Sequence, residues 1–323
     1  MITIVSQPAD FTPIESGVVY VVESDYSGDF LIKIINNTTG EVVGSKAVVA
    51  SIRAAVDIAP YITAITAAEP AQQGVFSLAP APAEEYYIEV TTDEESEVSE
   101  VVRVSNNRRV PKLGSVQSIF GLSRKISYGE DDELRFTAAN NSTIVARITT
   151  DRGEVVELEC YAPYGVAVLH IATAQLDYRT SRFEVEFYAD DVLMQSVEYA
   201  VVPRYEGAVR VAWLSEEGTV ERHTFRQTLS KSVATQRDTL FTNRQGEHIV
   251  RCRSAKRIAL RSHPLTEAET DALATILSAP KVWIESLQMA VARPLDVEAV
   301  TYSFGKLARV DLTLEYGEEE VVL

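Results

Sequence analysis

The chain is predicted to be mainly β, with two tandem β-sandwich modules followed by an α+β domain in which one helix packs on an antiparallel sheet. Three observations predict it. The first is an internal repeat: Leu31 to Ile58 lies on Ile144 to Ile171 without a gap, at a constant offset of 113 residues. This brings Thr39-Gly40-Glu41-Val42-Val43 onto Arg152-Gly153-Glu154-Val155-Val156, and Val56-Asp57-Ile58-Ala59 onto Leu169-His170-Ile171-Ala172. A period of that size is a whole small domain. The second is the dense alternation of short β-branched and aromatic runs with turn signals, which is the spacing of a sandwich. The third is a change of character after Pro203, where a capped helix and a strictly alternating strand enter. The boundaries that follow are residues 1–108, 109–204 and 205–323. Polar, proline-bearing linkers lie at Asn106-Asn107-Arg108-Arg109-Val110-Pro111 and Pro203-Arg204-Tyr205-Glu206-Gly207.

In the first module Val18 to Val22 and Phe30 to Ile35 read as strands separated by the turn-forming Ser24-Asp25-Tyr26-Ser27-Gly28-Asp29. A turn at Asn36 to Gly40 leads into a strand over Glu41 to Val49. Tyr86 to Val90 and Val98 to Val104 form a hairpin with the acidic tip Asp93-Glu94-Glu95-Ser96-Glu97. Between Ile62 and Glu84 an Ala- and Pro-rich insertion breaks the repeat and is expected to be a loop at one end of the sandwich. The second module repeats the plan with strands at Leu134–Phe136, Ile144–Thr149, Glu154–Cys160, Ala167–Ile171, Phe183–Tyr188 and Val192–Val201. Ala189-Asp190-Asp191 is its second hairpin turn. Each module is therefore read as an Ig-like sandwich.

In the last third Val209–Leu214, Thr219–Thr224, His248–Arg253 and Arg257–Arg261 read as strands. Thr266-Glu267-Ala268-Glu269 then opens a helix as a capping box, because the Thr266 hydroxyl and the Glu269 carboxylate can each meet a free backbone N–H. Ala272, Leu273, Ile276 and Leu277 share one helical face, and Pro280 stops the helix. Val282-Trp283-Ile284 follows as a strand. In the final strand, Val310, Leu312, Leu314 and Tyr316 alternate with Arg309, Asp311, Thr313 and Glu315.

The 323 residues carry a formal charge of −17, unevenly spread. Residues 1–203 hold 14 Lys and Arg against 30 Asp and Glu, whereas 204–323 hold 16 against 17. Within the latter, 222–263 carries ten basic residues against Asp238 and Glu247. Acidic modules at one end and a basic face at the other favour head-to-tail contact between copies. The candidate assembly face is Arg251, Arg253, Arg257 and Arg261 on the basic strands. No aromatic residues interleave with these arginines for stacking, and the whole chain is acidic, so nucleic acid is not expected as a partner. No apolar run approaches the length of a membrane span, and the start shows no basic segment followed by a long apolar one, so neither membrane insertion nor a signal peptide is expected. Cys160 and Cys252 fall in different domains and are expected to be buried free thiols.

Little in the chain suggests catalysis. His170, His223, His248 and His263 have no motif around them, and His170 sits where the first copy has Asp57, on a solvent-facing strand position. Gly-x-Ser-x-Gly, P-loop and Gly-x-Gly-x-x-Gly patterns are absent. The histidines of the last domain and Cys252 lack metal-ligand spacing, so neither a metal nor a cofactor is expected. Asp25, Asp29 and Gly129-Glu130-Asp131-Asp132-Glu133 offer calcium-type oxygens, but the solvated acidic loop is the favoured reading.

Phe11-Thr12-Pro13-Ile14 ahead of Tyr20-Val21-Val22, the Gly-Glu-Val-Val turn, Arg210-Val211-Ala212-Trp213-Leu214 and Leu277-Ser278-Ala279-Pro280-Lys281-Val282-Trp283 together resemble uncharacterised structural proteins of Bacteroides-type prophages. The helix-then-proline-then-strand ending is also similar to domains of phage tail proteins near the baseplate. The resemblance implies a virion structural role and a place in the tail after synthesis in the bacterial cytoplasm, and it carries over no functional residue. The expected function is a non-enzymatic structural or assembly protein that makes multivalent contacts with itself or with other virion proteins. The alternative is an adhesin or carbohydrate-binding protein in which sandwich loops, chiefly the insertion Thr63 to Ala83, hold a glycan.

Overall fold

The computed structural model describes the chain except residues 1, 11, 63–73, 82–83, 93–94, 106–111, 140, 164, 216–217, 243–245, 288, 302–307 and 323. It is mainly β, with sandwich modules and one helix on an antiparallel sheet, as the sequence predicts.

The first module contains β1 (Ile2–Ser6), β2 (Thr12–Pro13), β3 (Val19–Asn36), β4 (Val42–Asp57), the short α1 (Ala59–Ile62), β5 (Ser77–Pro80), β6 (Glu84–Thr91), β7 (Ser96–Val98) and β8 (Val102–Ser105). The two strands expected around Ser24 to Asp29 are one. β3 runs through that segment, and the supposed turn is a shift of register between Glu23 and Gly28. Its first half pairs with β1 and its second half with β6, while β4 follows it throughout. A single bent hairpin thus belongs to both layers. Period-2 alternation sends Tyr20, Val22, Ile32 and Ile34 inward, where they meet Val56, Ile88 and Val90 in one core.

The second module contains β9 (Ser115–Gln117), β10 (Ser123–Ser127), β11 (Asp131–Thr137), β12 (Ser142–Thr150), β13 (Val155–Ala162), β14 (Val166–Ala172), β15 (Arg182–Ala189) and β16 (Val192–Val202). One sheet has the order β10-β16-β15-β12-β13 and the other β5-β14-β11-β9. The repeat is visible in three dimensions. Gly40 and Gly153 both turn with positive φ, 71° and 81°. β2 lies parallel to β8 as β10 lies parallel to β16. What is one hairpin in the first copy is cut into β11/β14 and β12/β13 in the second, with Gly165 at φ 68° in the break. The turn at Asp190-Asp191 has both residues at positive φ, the form that matches strand twist in a two-residue hairpin. Phe136 stacks on Phe187 at 4.7 Å and Phe183 on Tyr199 at 4.6 Å in the core.

The last domain contains β17 (Val209–Leu214), β18 (Val220–Phe225), β19 (Gln227–Thr242), β20 (Gly246–Arg261), α2 (Glu267–Ala274), β21 (Val282–Ile284), β22 (Ala290–Thr301) and β23 (Ala308–Val322). They form one sheet of order β18-β17-β21-β22-β23-β20-β19. The capping box is present: Glu269 N–H donates to the Thr266 hydroxyl, and Thr266 N–H donates to the Glu269 carboxylate at 2.7 Å. Leu273 and Ile276 pack on Val310, Leu312, Ile258 and Leu260. Two expected strands, His248–Arg253 and Arg257–Arg261, are the single β20, and its partner β19 carries no clear alternation in sequence. Among the described residues no helix is long and apolar enough to cross a membrane.

Candidate interaction surfaces

The four arginines of the expected assembly face all lie on β20, with the acidic last strand beside them. Arg257 pairs with Glu315 at 2.8 Å, Arg293 reaches the same carboxylate at 2.6 Å, and Arg261 grips Asp311 through two bonds of 2.8 and 2.7 Å. Arg253 is exposed and opposite Glu320 in register, and Arg251 is opposite Val322, its side chain lying outside the described residues. Two of the four arginines of the expected assembly face, Arg257 and Arg261, thus have acidic partners within their own sheet. The cross-strand register places acids against them, and such pairs neutralise each other within the sheet.

The last domain's other end is built differently. β18 is buried along its whole length, charged residues included, because β10 and β11 of the second module cover it. At this junction Phe120 meets Trp213 edge-on at 5.7 Å and stacks on His223 at 6.0 Å, while Ile119 N–H donates to Glu221 at 3.1 Å. Beside this apolar plug lies a buried ionic network. The Arg124 guanidinium donates to Asp132 at 2.8 Å and also to Glu221. Arg210 donates to Glu130 at 2.8 Å and lies 3.0 Å from Glu285, which accepts from Arg222 at 2.9 Å. The hydroxyls of Tyr199 and Thr224 complete it with bonds of 2.8 Å to Asp132 and Glu130. Burial alone would raise the Asp132 carboxyl, but Arg124, Arg210 and Arg222 outweigh it and hold the group below the usual range. Glu133, at the margin, is pushed up by burial. Burial, with His263 and Arg210 nearby, drives His223 down to about 3, so the ring is neutral at physiological pH. Lys125 extends the junction to α2 by a 2.8 Å bond to Glu269.

The acidic run at Gly129 to Glu133 is therefore not the solvated loop expected from sequence. Glu130 and Asp132 are buried arginine ligands. The available signal was parity, since Asp132 shares a strand face with Leu134 and Phe136.

The insertion also differs from its expectation as a loop. Ser77–Pro80, the strand β5, leaves its own module and pairs antiparallel with β14 of the second, from Ser77↔His170 to Pro80↔Ala167. Phe76 and Leu78 pack on the second module's core. Residues 63–73 and 82–83 of the insertion lie outside the described residues.

His170 is half-buried, 3.8 Å from Glu133. Cys160 and Cys252 are free and partly exposed, where burial was expected. Among the described residues no group of three His, Cys, Asp or Glu side chains could hold a metal ion.

No protein-family profile matches the chain, and no curated protein matches it. Among solved structures it is similar to a chicken T-cell receptor (TM-score 0.23, 10% identity, covering 64% of this chain and 89% of that one). It is also similar to the Salmonella enterica SafA pilin in complex with the SafB chaperone (0.24, 9%, 62% and 96%). A third is the chicken interferon gamma receptor alpha chain (0.19, 10%, 62% and 99%). At these scores the likeness identifies no partner or activity.

Proposed function

We propose that the protein is a non-enzymatic structural component that works through protein–protein contacts, in a phage tail or another part of a virion. The observation that carries this reading is the arm formed by β19 and β20. β19 is the outermost strand of its sheet, 16 residues long, and among the described residues it pairs with β20 alone. Its Val233 and Phe241 are 63% and 71% exposed, and Leu229 is exposed as well. An outer strand presents a row of backbone donors and acceptors to any chain that can lie beside it, and apolar side chains along it favour such pairing. At the opposite edge of the same sheet, β18 is buried against the second module. Arg253, Arg257 and Arg261 line the neighbouring strand, but the pairing of the last two assigns them a supporting part. The virion placement rests on the resemblance of the whole chain to prophage structural proteins.

Light scattering at low and high salt, with electron microscopy, tests the reading. A defined oligomer that persists at high salt is expected, because apolar edge contacts are not screened. A monomer at high micromolar concentration in both salts, without rings or filaments, overturns it.

A further inference from the structure

We propose that the second module carries a strand-acceptor cleft, and that β5 of one copy fills the cleft of another, linking copies through Phe76 and Leu78. The proposal deepens the assembly reading and rests on it. The second module does not supply all of its own sheet: beside β14 lies a strand made of residues 77–80, which precede the module in sequence and belong to the insertion of the first. β5 also lies against β13 of the facing sheet, so it closes the side where the second copy's hairpin is cut at Gly165. Phe76 and Leu78, two residues apart, both pack on the core, while Ala79 and Pro80 are exposed.

The occupant is identified by the chain itself. Among the described residues β5 is the one strand of the first module that pairs with the second. Around it, Gly74 N–H donates to Asp131 at 3.1 Å and Phe76 N–H to Gln175 at 3.3 Å. Only three residues, 81–83, separate β5 from β6, so the strand travels with the first module as a plug. The covalent tie between plug and cleft is the nine residues 106–114, which span at most about 30 Å. Every copy carries the same plug and the same cleft on different surfaces. Exchange between copies therefore preserves each contact and produces a ring or an open chain. Within one copy the plug is held at an effective concentration on the order of millimolar, a level that a crowded assembly reaches.

The test uses the full chain with C160S and C252S, and with A79C and V168C, which face each other across the β5–β14 ladder. The protein is unfolded under reducing conditions, refolded across a concentration series, oxidised and run on a non-reducing gel. Disulfide-linked dimers and longer species whose share rises with concentration are expected, and single-cysteine controls give no ladder. Intramolecular disulfide alone at every concentration overturns the proposal. Oligomers by light scattering with no cross-link between copies overturn the exchange and leave the assembly reading standing. A second measurement does not depend on refolding: a labelled peptide of residues 74–81 is added to the F76S/L78S chain. Binding is expected, and its absence from a chain with native far-UV circular dichroism overturns the cleft.

Discussion

Replacing Arg124 by methionine isolates the energetic role of the junction between the second module and the last domain. The guanidinium, 4% exposed, bonds to two carboxylates that are 5% and 1% exposed. Without it Asp132 keeps the Tyr199 hydroxyl and a more distant Arg210 at 3.8 Å, whereas Glu221 keeps the Ile119 N–H at 3.1 Å and the Thr219 hydroxyl at 3.3 Å. Removing one partner of a buried ion pair leaves an uncompensated charge and costs about 3–5 kcal/mol, or roughly two to nearly four powers of ten in the closed-to-open ratio. Trp213 lies against Phe120 in the junction, so its fluorescence during urea unfolding reads the opening. The sign of the pH effect is fixed by linkage. In the parent chain the depressed Asp132 contributes stability above the unfolded carboxyl range, and this is lost only in acid. In the variant the Asp132 carboxyl, having lost Arg124, rises instead, so the folded state takes up a proton more readily and the deficit narrows from pH 7 to pH 5. The double variant R124M/E221M recovers part of the loss, because one of the two orphaned carboxylates is removed while Asp132 keeps Tyr199 and Arg210. A loss below about 1 kcal/mol, or a deficit equal at both pH values, would refute the argument that the network is a buried, mutually dependent set.

Three further outcomes are expected. His223 is neutral in the fold down to about pH 3, whereas the unfolded chain takes its proton near pH 6.5. Stability should therefore fall between these values by about 1.4 kcal/mol per pH unit, and H223F should flatten that slope in urea titrations at several pH values. At Gly165, φ is 68° and a Cβ would strike the carbonyl oxygens of Ala138 and Ala139, so G165A should cost more than about 2 kcal/mol by thermal unfolding. The Arg257–Glu315 pair is partly exposed, so R257A should change the urea midpoint by no more than about 1 kcal/mol, less in high salt.

The repeat, the capping box and the terminal strand were legible because each is a local pattern. Gly40 and Gly153 turn alike, Thr266 and Glu269 are three residues apart, and Val310, Leu312 and Leu314 alternate without interruption. The bent hairpin was not legible: Ser24 to Asp29 has the composition of a turn, and only the long-range pairing with β1, β4 and β6 keeps it extended. β19 was missed because much of it is exposed, so no alternation of burial is written into Gln227 to Thr242. The charged junction was hidden for the opposite reason. Glu130 and Asp132 read as a solvated loop until the arginines that neutralise them, Arg124 and Arg210, are brought beside them by the fold. The same holds for Arg257 and Arg261, whose acids arrive more than 45 residues later in the chain.

The crossing of β5 between modules also sets a timetable for synthesis. Leu78 leaves the ribosome 91 residues (169 − 78) before Leu169, its partner across the ladder. At about 5–20 residues per second the interval is roughly 5 to 18 s. Throughout it the first module can complete every other strand, yet Phe76 and Leu78 have nowhere to go. Pro80 and Pro82 follow them closely and Pro70 precedes them, residues that lack the amide needed to extend a foreign sheet. A strand flanked by prolines extends a foreign sheet poorly, which limits mispairing of the nascent segment before the β14 edge has been translated.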